Sequence, residues 1–158
     1  MGRYKDSAYK LVYKYINSIV ASNTHLTSCS YNDMDAKLQD SMCIQVSGMQ
    51  AMKKRKLNDG KPVARSVIVT LLYNCKNSAD GVFDGQAMLE ELLDVFYGTR
   101  NKIVYFKDSN IVNNEDYTEY ISVSQIDALT EVVDLGKNKH DIPRYSIKLR
   151  LNFIKGGK

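Results

Sequence analysis

The sequence predicts an α+β fold: a two-layer sandwich with an antiparallel or mixed sheet, two helices on one face, and the order α-β-β-α-β-β. Three observations predict it. Two segments, 6–20 and 84–98, place apolar residues at helical spacing; residues 41–75 read as strand, basic loop and strand; residues 144–153 alternate apolar and polar without exception. Two amphipathic helices and strands with one apolar face have a stable arrangement when the helices share that face.

The first helix follows from Asp6 or Ser7 as cap and from Ala8, Leu11, Val12, Tyr15, Ile16, Ile19 and Val20 as one stripe. Lys10, Lys14 and Asn17 lie opposite and belong in water, and Asn23 and Thr24 end the helix. Tyr9 and Tyr13 fall off the stripe, where tyrosines often serve interfaces. Residues 25–40 are irregular and read as a loop with room for one short strand near Leu26 to Tyr31.

Met42, Ile44 and Val46 alternate with Cys43, Gln45 and Ser47, giving a half-buried strand that Gly48 stops. Residues 52–62 then form a projecting basic hairpin loop, with Lys53, Lys54, Arg55 and Lys56 at its centre and an Asn58-Asp59-Gly60 turn signal. From Val63 to Tyr73 the chain is a β-branched run, apolar on both faces. Val67, Val69 and Leu71 are expected under the helices. Ile68 and Leu72 must then meet something else, and a neighbouring subunit is the natural occupant. The expected subunit face comprises Ile68, Thr70 and Leu72, with Lys148 and Arg150 from the last strand.

The second helix is expected from Asp84, on Ala87, Met88, Leu89, Leu92, Leu93 and Phe96, with Gly98 as a left-handed C-cap. Ile103 to Phe106 reads as a strand or a docking segment, and Asp108 to Asp116, with three asparagines, as exposed. Tyr120 to Leu135 reads as one strand kinked near Ala128 or as two. Tyr145, Ile147, Leu149, Leu151 and Phe153 define the last strand after a hairpin loop at 137–143, and residues 155–158 are expected to be a mobile tail.

At 158 residues the chain is a single domain, 1–158, long enough to bury a core without disulfides or metal. With 44% hydrophobic and 25% charged residues it has an ordinary globular composition, and no apolar run reaches the ~20 residues that cross a bilayer. Charges within residues 1–20 interrupt any secretory apolar core. Three cysteines, Cys29, Cys43 and Cys75, without a Cys-x-x-Cys pair suggest small buried thiols in a reducing compartment. Residues 52–65 hold six basic side chains and one acidic, whereas residues 66–136 hold four basic and twelve acidic, a net of −8. Segregated signs suit contact between copies, contact with other proteins, or guidance of a polyanion.

Chemistry-bearing residues are sparse. His25 and His140 fall in expected loops; Cys29 is four residues from His25, a spacing without helical support for a Cys–His pair. Gly60-Lys61-Pro62 lacks the glycine and hydroxyl of a phosphate loop, and Glu90, Glu91 and Asp94 have the spacing of a solvated helix face. No catalytic residue, metal ligand or cofactor is assigned, and the chain is not expected to be an enzyme. The Lys53–Lys56 run could gain affinity for phosphates by releasing counterions, although the run carries no stacking aromatic.

Four features together resemble the tail terminator proteins of long-tailed bacteriophages, a family often labelled minor capsid protein. They are the capped helix Asp6 to Val20; Ser41, Met42, Cys43, Ile44 and Gln45 before a basic loop; the strand Val63 to Tyr73 followed by the Leu-rich helix Gln86 to Phe96; and Leu135, Gly136 and Lys137 with the alternating strand Arg144 to Phe153. The resemblance covers nearly the whole chain and departs at His25 to Asp40, where members of the family run more directly into the first strand. It implies a hexameric ring at the head-proximal end of the tail, assembled in the host bacterial cytoplasm, which stops tube polymerisation and performs no catalysis. The partners it implies are further copies of the chain, the tail tube protein, the head–tail connector protein, a sheath or collar protein and passing DNA, with no membrane. In such a ring Lys53, Lys54, Arg55 and Lys56 point into the lumen or toward a partner ring. The alternative is a small basic nucleic-acid-binding module.

Overall fold

The computed structural model describes residues 6–31, 34, 39–51 and 64–158. Ser7 caps the first helix, α1 (Ala8–Asn23), its hydroxyl accepting the Lys10 amide at 3.2 Å, and the expected stripe is buried at Leu11, Val12, Tyr15, Ile16 and Val20. A two-residue strand, β1 (Thr27–Ser28), pairs in parallel with the start of β2 (Ser41–Ala51). β2 pairs antiparallel with β3 (Ala64–Asn74), and α2 (Ala79–Tyr97) follows. The chain then runs through β4 (Arg100–Lys107), β5 (Asn110–Val112), β6 (Glu119–Lys137) and β7 (Pro143–Gly157).

The order is therefore α-β-β-β-α-β-β-β-β, and the expected two-layer sandwich of α-β-β-α-β-β is overturned. The seven strands form one mixed sheet, β1-β2-β3-β7-β6-β4-β5, that curls into a half-barrel and takes up 51% of the chain. The cause lies in β6 and β7. β6 is 19 residues long and its register against β7 slips at four places, between Val123 and Gln125, Ala128 and Thr130, Thr130 and Val133, and Asp134 and Gly136. Each extra residue adds local twist, so a long pair coils where a regular one would stay open. The slip after Ala128 falls where the sequence predicts a kink.

Helix α1 touches β2 and also β5, which lie near opposite edges of the sheet, so it bridges the mouth of the half-barrel. Helix α2 lies against β6. Leu11, Ile16, Leu89 and Phe96 from the helices join Val67, Val69, Leu71, Ile147, Leu149, Leu151 and Phe153 from the strands in one buried cluster. Val67, Val69 and Leu71 are thus on the helix-covered side, as their alternation predicts.

Local expectations fail where short-range chemistry is unusual. Helix α2 begins a turn and a half before Asp84 because Ser78 caps it, its Oγ accepting the Gly81 amide at 3.0 Å. Gly81 and Gly85 weaken the helical signal of this first stretch. Gly85 is required by approach: a Cβ there would stand 2.8 Å from both the Cys75 sulfur and the Tyr73 hydroxyl. Gly98 is right-handed at φ −74°, not left-handed, and its amide bonds back to Asp94. The stretch Asp108 to Asp116 is largely exposed, as expected, and it also contains β5, reached through a two-residue turn in which Asp108 and Ser109 both have positive φ.

Residues 155–157, expected to be mobile, continue β7 opposite Glu119, Tyr120 and Ile121, and the Lys158 amide donates to the Thr118 carbonyl at 3.0 Å. The basic loop at 52–62 lies outside the described residues.

Candidate docking face

Direct pairing in a sheet puts partner residues on the same face. Ile68 pairs with Arg150, Thr70 with Lys148, and Leu72 with Ser146, so register brings all five expected subunit-face residues together on the side away from the buried cluster. Ile68, Thr70 and Leu72 are half-buried; Lys148 and Arg150 are exposed. Ile68 lies across Gly48 of the neighbouring strand. On the other side of β7, Asp127 pairs with Arg150, and Thr130 accepts the Lys148 amide at 3.0 Å. The centre of the face is apolar with a basic stripe beside it and a carboxylate at the border.

The end of this face near Leu72 is closed by the chain itself. Asn74 and Asn138 donate to the Met34 carbonyl at 3.1 and 3.2 Å, and Asn138 also accepts the His140 and Ile142 amides, shaping the β6–β7 turn. At the opposite end, Ile103, Tyr105, Tyr117, Tyr120, Ser122 and Ile154 wall an open groove of about 380 Å³. Gly156 makes room for the Tyr120 ring, since a Cβ there would fall 2.5 Å from its Cζ.

Other sequence candidates disperse. Lys53, Lys54, Arg55 and Lys56 lie outside the described residues. His25 lines a cavity of about 220 Å³ with Asp40, Tyr73, Lys76 and Asp84, but Cys29 does not border that cavity, and its sulfur sits 3.5 Å from that of Met34. Burial, together with Cys75 and Asp40 beside it, pushes the Tyr73 phenol well above its usual range. Its hydroxyl donates to Asp40 at 3.2 Å. Burial likewise pushes the Cys75 thiol up. Glu90, Glu91 and Asp94 are exposed. Tyr9 is exposed with its hydroxyl accepting the Met49 amide at 3.4 Å, and Tyr13 packs against the core.

Sequence reasoning missed a cluster of buried charge. Asp6 accepts from Ser109 at 2.8 Å and from Lys10 at 3.1 Å, while its amide reaches Glu119 at 3.4 Å. Lys155 closes the set, donating to the Asp6 carbonyl at 2.6 Å and pairing with Glu119 at 3.5 Å. Burial lowers the Lys155 ammonium pKa, against the opposing pull of Glu119 and Asp6. The sequence signals only a helix cap at Asp6; nothing local announces that a lysine from the last strand reaches it.

No known family model matches the chain, and no curated protein matches it. Among the described residues no helix is long and apolar enough to cross a membrane.

Proposed function

We propose that this chain is a structural subunit of a ring that ends the tail tube of a long-tailed phage or phage-like particle and joins it to the head connector. The reading rests on one observation: an open sheet face where half-buried Ile68 and Leu72 sit beside the exposed Lys148 and Arg150. A face of that composition is partly desolvated already and carries charge at its rim, the division found in protein–protein contacts. The resemblance to tail terminators supplies the geometry of a hexameric ring, with the tail tube protein on one side, the connector on the other, a sheath or collar protein around it, and DNA passing through.

Mass photometry with negative-stain images of the purified protein tests the proposal, alone and mixed with tail tubes. Rings of uniform diameter, free or formed on tube ends, are expected. A protein that stays monomeric and leaves tubes growing would overturn it. Replacing Lys53, Lys54, Arg55 and Lys56 with Ser is expected to preserve the circular dichroism spectrum and lower the yield of headed particles; an unchanged yield would remove the basic run from the attachment surface.

A second reading, a small nucleic-acid-binding module, is favoured by the tyrosines that share the open face with Lys148 and Arg150. It requires oligonucleotide affinity that falls steeply with salt, whereas a ring subunit binds weakly at every ionic strength.

A further inference from the structure

Tyr105 on β4, Tyr117 in the segment before β6, and Tyr120 on β6 converge at one end of the open face. The Tyr105 and Tyr117 ring centres are 4.8 Å apart with planes tilted by 50°, and Tyr117 meets Tyr120 edge-on at 6.1 Å and 81°. Aromatic faces carry negative quadrupole potential and attract cations within about 6 Å of the ring centre. The Lys158 ammonium lies 4.5 Å over the Tyr117 ring, so an alkylammonium already sits against this wall. Glu115 and Asp116 directly precede Tyr117 in the chain and are exposed, so two carboxylates adjoin in sequence the ring that already meets a cation.

We propose that the tyrosine groove is the seat of a lysine or arginine side chain from residues 53–56 of a second copy of this chain. The proposal rests on the ring reading for the presence of that copy and names the contact. Two observations favour this occupant. Every groove-wall residue except Ile154 falls within residues 66–136, the segment of net charge −8, and the chain's densest basic run, six cations within 52–65, is its complement. The second is level: Ile154 on the groove wall pairs with Ala64, which directly follows residues 52–63. Rotation about a ring axis preserves height, so a neighbour's basic run leaves its sheet at the level of this groove.

A fluorescently labelled synthetic peptide of residues 51–64, titrated into the full chain at nanomolar protein and followed by anisotropy, tests the seat. The native peptide should bind, and the peptide with Ser at 53–56 should bind at least tenfold more weakly, a comparison that leaves the protein unchanged. Tyr117→Ala should weaken binding by about two- to fivefold while Tyr117→Phe retains it. Lys158→Ala, which frees the ring face, should strengthen it.

Equal binding of the two peptides, or indifference to Tyr117→Ala, overturns the proposal. So does displacement of the peptide by oligo(dT) through a Tyr117-dependent site, which would give the groove to nucleic acid. Mass photometry of the same samples separates the two ideas. Rings that form normally while the peptide ignores Tyr117 sink the seat alone, and a bound peptide with no rings under any condition sinks the ring reading alone.

Discussion

At the scale of single residues, the folded state is most exposed to failure where charge is buried. The Lys155 and Glu119 side chains retain 12% and 5% of their exposure and depend on each other and on Asp6. Removing Glu119 takes from Lys155 its ion-pair partner and leaves the Asp6 carbonyl contact, a loss of about 3 kcal/mol, whereas replacing the set with apolar residues of equal volume can be neutral. Glu119→Gln is therefore expected to lower the melting temperature by roughly 6–12 °C, measured by calorimetry. Titration sets the alkaline limit. Burial raises the phenol pKa values of Tyr15, Tyr73 and Tyr145 above 10.0. Stability from these groups is fully present below pH 10.0 and lost as pH climbs through their folded values, because the unfolded chain releases those protons first. Lys155, with its folded pKa below 10.5, acts oppositely and gains as pH rises toward 10.5. Three phenols against one ammonium predict net alkaline destabilisation, and denaturant midpoints from pH 8 to 11 should fall above pH 10.0, less steeply in Tyr73→Phe. Thiols give a further check: Cys29 is half-buried and Cys43 and Cys75 are buried, so a disulfide reagent should modify one thiol quickly and the others only on unfolding.

Elements were legible in the sequence wherever side-chain period alone determines them. α1 and the buried stripe of β7 follow from spacing, since every apolar position has one face to occupy. The start of α2 was hidden because its first turns contain Gly81 and Gly85, which argue against helix when read locally and are demanded by Tyr73 and Cys75 across the core. Two effects compete at Gly85. Alanine favours helix by about 1 kcal/mol, but its methyl would sit 2.8 Å from a sulfur and a hydroxyl in a packed interior. Overpacking of that kind costs about 1–3 kcal/mol. Gly85→Ala is therefore expected to destabilise the protein in urea titrations, where an exposed helical glycine would show the reverse. β5 was obscured by an Asp108-Ser109 turn in place of Asn-Gly. Hydrophobic period was also silent about the buried charge, because Asp6, Glu119 and Lys155 are separated by more than a hundred residues at their widest.

For the whole molecule, the half-barrel divides the sheet into a side packed against the helices and a side that, among the described residues, carries half-buried Ile68, Thr70 and Leu72 beside exposed Lys148 and Arg150. Curvature could not be read from alternation: the slips along β6 have no residue signature beyond a weak pattern, and they turn a two-layer expectation into a trough bridged by α1. That Ile68, Thr70, Leu72, Lys148 and Arg150 share one face was legible, because alternation puts every second residue of a strand on the same side and antiparallel register then aligns that side of β3 with the alternate positions of β7. A matched pair of substitutions separates the two sides. Leu149 is 1% exposed on the helix side, and Leu149→Ala removes packed methyls for a loss of about 2–5 kcal/mol; once folded, it should still assemble. Ile68→Asp puts a carboxylate beside Arg150 on the half-buried side. There the monomer keeps access to water, so its melting point should move by only a few degrees while mass photometry shows loss of rings. A carboxylate held in a dry contact between copies costs far more than the same group in water. The opposite pattern, rings persisting in Ile68→Asp and failing in folded Leu149→Ala, would mean that copies meet through some surface other than this face.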